Sequence, residues 1–375
     1  MRTWLNVSIL SIVLVIMVGF NGLMDGWFDK ARIDSVEWEF ASGQLWSPSY
    51  DPYDALKLPD AHEPVEDRLS AMVEKGEITP VLAVPASVFP SGRMVNVVLK
   101  GIDENQEMIK IHAPAASCDG VDIPVVLGKE MARSLSLEEG DLIMARWRDR
   151  NGTFDARSLV VAGIFDTDNQ RVDKGQIWMR LDDLRRMTLM EGQASYFICG
   201  EDFDEKAFAD ERWTYQPLEV LLKDQLLLED ASRVKTVSIF VILLSLALLT
   251  VFDTQTLSIF KRKKEIGTYV ALGMKPRTVT ALFTLEGTLY SVLAIGLSCI
   301  WGTPLLWLFK IYGFDFPAES VSGMMISEVM YPSYHLSTIV STVLVVVVSS
   351  ALISYFPARK ISRMNMVLAL KGKVE

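Results

Sequence analysis

Four stretches of this chain carry almost no charge, and the residues between them alternate or repeat at much shorter range. Thr3 to Met24 has no charged residue, Thr236 to Phe260 has only Asp253, Thr278 to Phe309 has only Glu286, and Val329 to Ala358 has none. Each is long enough to meet the roughly 20 apolar residues that a bilayer demands of a spanning helix. Four transmembrane helices are therefore expected, over 3–24, 236–260, 278–309 and 335–358. A cation at Arg2 opens the first stretch, but its apolar run is long and no small-x-small cleavage site precedes Asp25, so it is read as an uncleaved anchor.

Between the first two spans lie residues 25–235, enough for a domain with its own core. Ser35-Val36-Glu37-Trp38-Glu39-Phe40 alternates and predicts extended chain. Leu69, Met72 and Val73 put an apolar face on a helix over Glu66–Lys75. Val81–Val84 and Val95–Leu99 predict strands separated by Pro85, Pro90 and a Ser91-Gly92 turn. From Val125 to Met179 the pattern is richer in β-structure. A strand from Val125 runs into a helix that ends before Glu139-Gly140-Asp141. The strands Leu142–Trp147 and Ser158–Phe165 flank an Asn151-Gly152 hairpin signal, and Gln176–Met179 precedes a helix over Leu181–Thr188.

The net charge of −10 hides two opposite halves. Residues 25–235 hold 40 acids and 24 bases, whereas the remainder holds 7 acids and 13 bases. Those bases flank the spans on one side: Lys261, Arg262, Lys263, Lys264, Lys275 and Arg277 after the second, and Arg359, Lys360, Arg363, Lys371 and Lys373 after the fourth. The 311–334 loop has Asp315, Glu319 and Glu328 but no Lys or Arg. The positive-inside rule then puts both termini, the 261–277 loop and the 359–375 tail in the cytoplasm, and 25–235 and 311–334 outside. Nothing in this distribution suggests nucleic acid, which wants a basic patch.

Enzyme chemistry finds no anchor. A phosphate-cradling loop needs G-x-x-x-x-G-K-[ST]; Gly128-Lys129 lacks the upstream glycine and the following hydroxyl, and Gly372-Lys373 sits at the tail. His62, His112 and His335 are scattered, so neither a metal site nor a catalytic residue is expected. Acid pairs such as Glu138-Glu139 and Asp182-Asp183 read as solvated surface. Cys118 and Cys199 share the outer side, either as a pair or as buried thiols, and Cys299 lies in the third span.

The loop is the most informative segment. Lys261–Lys264 suit lipid headgroups, while Ile266, Tyr269, Val270 and Leu272 recur at helical spacing and give an apolar face. Gly273 and Pro276 mark a stop. Glu286, just inside the third span, should face protein or water, because a charge at mid-bilayer costs about 2.5–3.5 kcal/mol. It pairs with one of Lys261–Lys264 or Arg277, or it snorkels to the interface. Gly287, Ala294, Ser298 and Gly302 allow a close helix approach, within the chain or to a second copy.

The run from Lys261 to Gly273, with Glu265-Ile266-Gly267 and Ala271-Leu272-Gly273 at fixed spacing, resembles the signature loop of the FtsX-like permeases of ABC transporters. That family includes the MacB and lipoprotein-releasing (Lol) types, and the Lol type looks nearest. "VVLGKEMA", "LSLEEGD", "VVAGIF" and "VDKGQIWMRLDDL" resemble the external domain of the Lol-type and MacB-type members. The ending from Phe356 to Leu370 resembles the family tail, with Asn365-Met366 where Asp/Asn-Pro is usual. The resemblance implies four transmembrane helices plus an α+β extracytoplasmic domain. That domain would be porter-like (about 36–110 and 190–230), with an inserted β-rich subdomain at about 111–189. Family members usually carry an amphipathic helix before the first span, so either it is dispensable here or the true start lies upstream.

By the same resemblance, Lys261, Arg262, Lys263, Lys264, Glu265, Ile266, Gly267, Ala271, Leu272 and Gly273 dock on a separate ABC ATPase subunit, which holds the ATP and magnesium. The chain itself binds no cofactor and is no enzyme. It sits in the inner (plasma) membrane as half of a homo- or heterodimer and moves its outer domain to release a lipoprotein, a lipid or another periplasmic substrate. A MacB-like efflux permease, an FtsX-like regulator of a cell-wall hydrolase and a sensor with an external ligand domain remain open alternatives.

Overall fold

The computed structural model describes residues 2–54, 57–115, 122–167, 169–205, 208, 210, 212–315 and 329–362. Cys118, Glu319, Glu328 and the tail from Arg363 lie outside them. Of the described residues, 30–227 form one compact unit, and 2–29, 228–315 and 329–362 form the other.

The 30–227 unit starts on the end of helix α1 (Arg2–Ser35) and one wide helical turn, Val36–Phe40. Next come strands β1 (Gly43–Trp46) and β2 (Glu63–Pro64), helix α2 (Asp67–Glu74), and strands β3 (Ile78–Val88), β4 (Val95–Ile102) and β5 (Ile123–Gly128). Helix α3 (Lys129–Leu135), strands β6 (Leu142–Arg148) and β7 (Phe154–Phe165), α4 (Gln170–Asp173), β8 (Gln176–Arg180) and α5 (Leu181–Thr188) follow. The unit closes with β9 (Gln193–Ala194), β10 (Tyr196–Cys199), β11 (Thr214–Pro217) and the turn α6 (Leu218–Leu221).

Nine strands form one sheet in the order β11-β1-β10-β3-β4-β8-β5-β7-β6, and β6 returns to pair with β3 through Ala86–Val88 against Ala145–Trp147. The last six strands therefore close a barrel. Its interior is filled by Val84, Leu99, Val125, Ile143, Trp147 and Leu159, all buried, as expected of a barrel too narrow to hold a channel. The first residues of β3 pair instead with β10, beside β1 and β11, and this antiparallel quartet packs Leu45, Ile78 and Phe197 against Leu69 of α2. One strand thus serves both layers. The barrel takes in residues 82–102 as well as the strands after 111, because β3 must reach both β4 and β6 to close it.

Two sequence expectations need correction. Val36–Phe40 is helical rather than extended, since Glu39 and Phe40 both turn inward and are buried. Pro85 lies inside β3 rather than at its end. Alternate amides of β3 point away from β4: Ser195 donates to the Val81 carbonyl, Ala83 N–H reaches Ser195 Oγ, and Phe89 N–H reaches Met144 O. Pro85 falls on that side, in the gap between β10 and β6, where the missing N–H costs the ladder no bond.

The other unit holds α1 up to residue 29, α7 (Lys223–Lys261), α8 (Lys263–Ala271), α9 (Pro276–Tyr312), the two-residue strands β12 (Phe314–Asp315) and β13 (Val329–Met330), and α10 (Leu336–Ser362). The helices α1, α7, α9 and α10 are long and apolar enough to cross a membrane. On α7 the buried residues are Thr236, Phe240, Leu244, Ala247, Val251, Gln255 and Ile259, a narrow stripe at three- and four-residue spacing. Between 236 and 260 most of its remaining surface is apolar and at least partly exposed, as a lipid-facing helix requires. Gly287, Ala294, Ser298 and Gly302 all lie on the buried stripe of α9. A side chain at Gly287 would meet Ser354 of α10, and one at Gly302 would meet Val15 of α1, so these small residues serve contacts inside the chain.

Candidate functional site

The basic loop folds as a rigid corner. Arg262 breaks the helical run between α7 and α8 with φ −90° and ψ 15°. α8 then stops at a Schellman motif: Gly273 N–H donates to Val270 O and Met274 N–H to Tyr269 O, both at 3.0 Å. Gly273 has φ +95°, a conformation that strains any residue with a Cβ. Lys275 follows in extended geometry, and Pro276 takes the first helical position of α9, where its missing N–H is harmless.

The apolar residues of α8 divide between two faces. Ile266 is buried with Ile259 of α7, Val279 and Phe283 of α9, and Ala358 of α10, and Val270 packs beside it. Their four-residue separation places them one turn apart on the inner face. Tyr269, Ala271 and Leu272 point outward instead, Leu272 with 81% of its surface exposed. The periodicity predicted a single apolar stripe, whereas the helix both docks on its own bundle and presents a second apolar edge. Lys261, Arg262, Lys264 and Glu265 are exposed at the N-terminal end of the helix, and Gly267 is buried.

Glu286 receives the Arg262 guanidinium, which donates to its two carboxylate oxygens at 3.3 and 3.1 Å. The corner is thereby tied to the first turns of α9. The pair is about half to a third exposed, so it fixes geometry more than it adds stability.

Two polar constellations carried no sequence signal. In the bundle, Ser11 and Ser298 share a hydrogen bond at 2.9 Å, and the Trp301 indole donates to Ser11 at 2.8 Å. In the 30–227 unit, Glu39 lies 3.9 Å from both Lys100 of β4 and Arg171 of α4. Glu39 and Lys100 are buried. The Lys100 ammonium stands over the rings of Trp178 and Tyr196 at 4.9 and 5.5 Å. Desolvation lowers its pKa to about 8 despite the nearby Glu39 carboxylate. Burial, and then Glu39, push the Tyr50 hydroxyl up. In sequence Glu39 looks like one more surface acid. Cys199 is a buried free thiol, pushed up to about 12 by desolvation. No cluster of three or more metal-ligating side chains occurs among the described residues.

Residues 237–366, which include the corner, match the FtsX-like permease C-terminal family. The lipoprotein-releasing system transmembrane protein LolC of Xylella fastidiosa, from strain 9a5c and from strain Temecula1, is 21% identical over 236 residues. The match covers 56% of this chain and 56% of each relative, so the chain spans just over half the length of the curated relatives it matches. The extracellular domain of the noncanonic ABC-type transporter YknZ from Gram-positive bacteria aligns with 46% of this chain and 98% of its own, at 13% identity and a TM-score of 0.30. The chain is thus related to the FtsX/MacB-like permease superfamily, and to LolC at low identity.

Proposed function

We propose that this chain is the permease subunit of an ABC transporter of the FtsX/MacB/Lol type. Its α8 corner receives force from a separate ATPase and turns it into movement of residues 30–227. The observation that carries this reading is the outward edge of α8. Leu272, Tyr269 and Ala271 are exposed toward the C-terminal end of a helix only nine residues long, and Lys261, Arg262 and Lys264 are exposed at its N-terminal end. A short helix held by its own cap, by Ile266 and by the Arg262–Glu286 pair can bear on α7 and α9 without bending. The same geometry suits a protein groove that offers an apolar floor and an acidic rim.

Two continuous helices lead away from the bundle. α1 runs 11 residues past Met24, and α7 begins 13 residues before Thr236. A rotation imposed at the corner would pass along α7 as a rigid rod. The basic side of the bundle lies in the cytoplasm and the acidic 30–227 unit outside, in keeping with the charge distribution. The partners are an ABC ATPase and a second permease copy, identical or related. The cargo is a lipoprotein, the class named for the LolC relatives, or a lipid.

The test is ATP hydrolysis by a complex purified from native membranes through a tag on this chain. Leu272→Glu and Lys264→Glu are expected to remove ATPase co-purification and stimulated hydrolysis while membrane insertion stays normal. If both variants retain full stimulated hydrolysis, the assignment of α8 is wrong.

A further inference from the structure

A cleft of about 280 Å³ opens between α1, α9 and α10, in the half of the bundle away from the basic corner. Leu14 and Val18 of α1, Leu306 of α9 and Val343 of α10 line it, with Cys299 part-way along and Lys310 at the far end. Its floor is closed by contacts already satisfied: the Ser298 hydroxyl bonds to Ser11 and to the Ala294 carbonyl. Pro304 sits inside α9 next to it, where it removes one hydrogen bond from the helix ladder.

An apolar cleft facing hydrocarbon is filled by an acyl chain, since water finds too few polar partners there. Its size is just below the roughly 300–1,000 Å³ of small-molecule pockets, which is room for one chain and not for a whole lipid. Cys299 and Lys310 are 11 residues apart on a continuous helix, or about 16 Å. That is close to half of a hydrocarbon core about 30 Å thick, so the cleft is one leaflet deep.

The rim supplies the headgroup chemistry. Trp307 is largely exposed there, and Tyr334 donates from its hydroxyl to the Leu306 carbonyl at 3.3 Å, the aromatic arrangement typical of a membrane interface. Two acids on this end of the bundle are engaged elsewhere, Asp25 by Arg233 and Thr338, and Asp29 by His335. Lys310 makes no ion pair among the described residues, and its ammonium is the charge a phosphate diester would meet. The geometry points to a binding site for one anionic phospholipid of this leaflet, with one chain in the cleft and its phosphate on Lys310. The site stands whether or not an ATPase docks on α8.

Cys299 is an exposed thiol, and Cys199 is buried, so a Cys118→Ser chain can be labelled at Cys299 by a neutral maleimide. The full-length protein is placed in nanodiscs of phosphatidylcholine alone or with one fifth phosphatidylglycerol. Phosphatidylglycerol is expected to slow labelling at least five-fold and to be retained at one molecule per chain in native mass spectrometry. Lys310→Gln should abolish both effects and Lys310→Arg should keep them. Equal labelling in the two lipids, a phosphatidylglycerol effect that survives Lys310→Gln, or protection by an acylated peptide but not by phosphatidylglycerol would each overturn the site.

Discussion

Replacing Glu39 by Gln removes one charge from a place where water cannot compensate for it. Glu39 and Lys100 expose only 6% and 7% of their side chains and stand 3.9 Å apart. At an effective dielectric constant near 20, two unit charges about 4 Å apart attract by about 4 kcal/mol. Breaking one member of a buried pair costs about 3–5 kcal/mol, because the remaining charge stays desolvated. Arg171 adds less, since it is 38% exposed and can turn to solvent. The matched control is Glu37→Gln. Glu37 meets Lys110 at the shorter distance of 2.6 Å, but both are well exposed, so its loss should cost at most about 1 kcal/mol. Hydrogen exchange of the full chain in detergent reads the difference on the amides of β3, β4 and β10. Glu39→Gln should speed their exchange by roughly 100- to 4,000-fold, taking tenfold per 1.4 kcal/mol, and Glu37→Gln by less than ten-fold. Equal effects of the two replacements would show that burial does not govern this pair.

Three further outcomes are expected. Lys100 has its folded-state pKa lowered from 10.5 to about 8 by desolvation. Between those values the unfolded chain binds more protons, so stability should rise as pH goes from 8 to 10, by an amount on the order of 2 kcal/mol. Above pH 10 the buried Tyr50 and Tyr196, both pushed up by desolvation, oppose it. Urea unfolding followed by tryptophan fluorescence should show the rise in the wild type and lose it in Lys100→Met. Gly273→Ala places a Cβ at φ +95° with nothing else within 4 Å, so any cost is pure backbone strain of about 1–2 kcal/mol. Proteolysis at the 271–275 link should then accelerate, and less so in Gly273→Asn. For orientation, a Ser322→Cys chain should label from outside intact spheroplasts and a Lys371→Cys chain should not, each in a background lacking the native cysteines.

The spans, the acidic domain between the first two and the corner were all legible in the sequence, because each rests on short-range physics. Runs long enough for a bilayer with at most one charge, a Gly at C′ followed by Pro, and strands bounded by Asn-Gly need no knowledge of distant residues. The helix over Leu181–Thr188 has the bounds its pattern predicts, and α2 differs from its expected range by one residue at each end. What only the tertiary structure decided depends on residues far apart in the chain. β6 meets β3 across some sixty positions to close the barrel. Pro85 is tolerated because two different neighbours leave a gap beside it. Val36–Phe40 is helical where Glu39 turns inward to the buried Lys100, and α8 splits its apolar residues because Ile266 finds a pocket made by three other helices. A side chain's own pattern cannot show which partners the fold will bring to it, and burial, charge pairing and cleft formation are all properties of those partners.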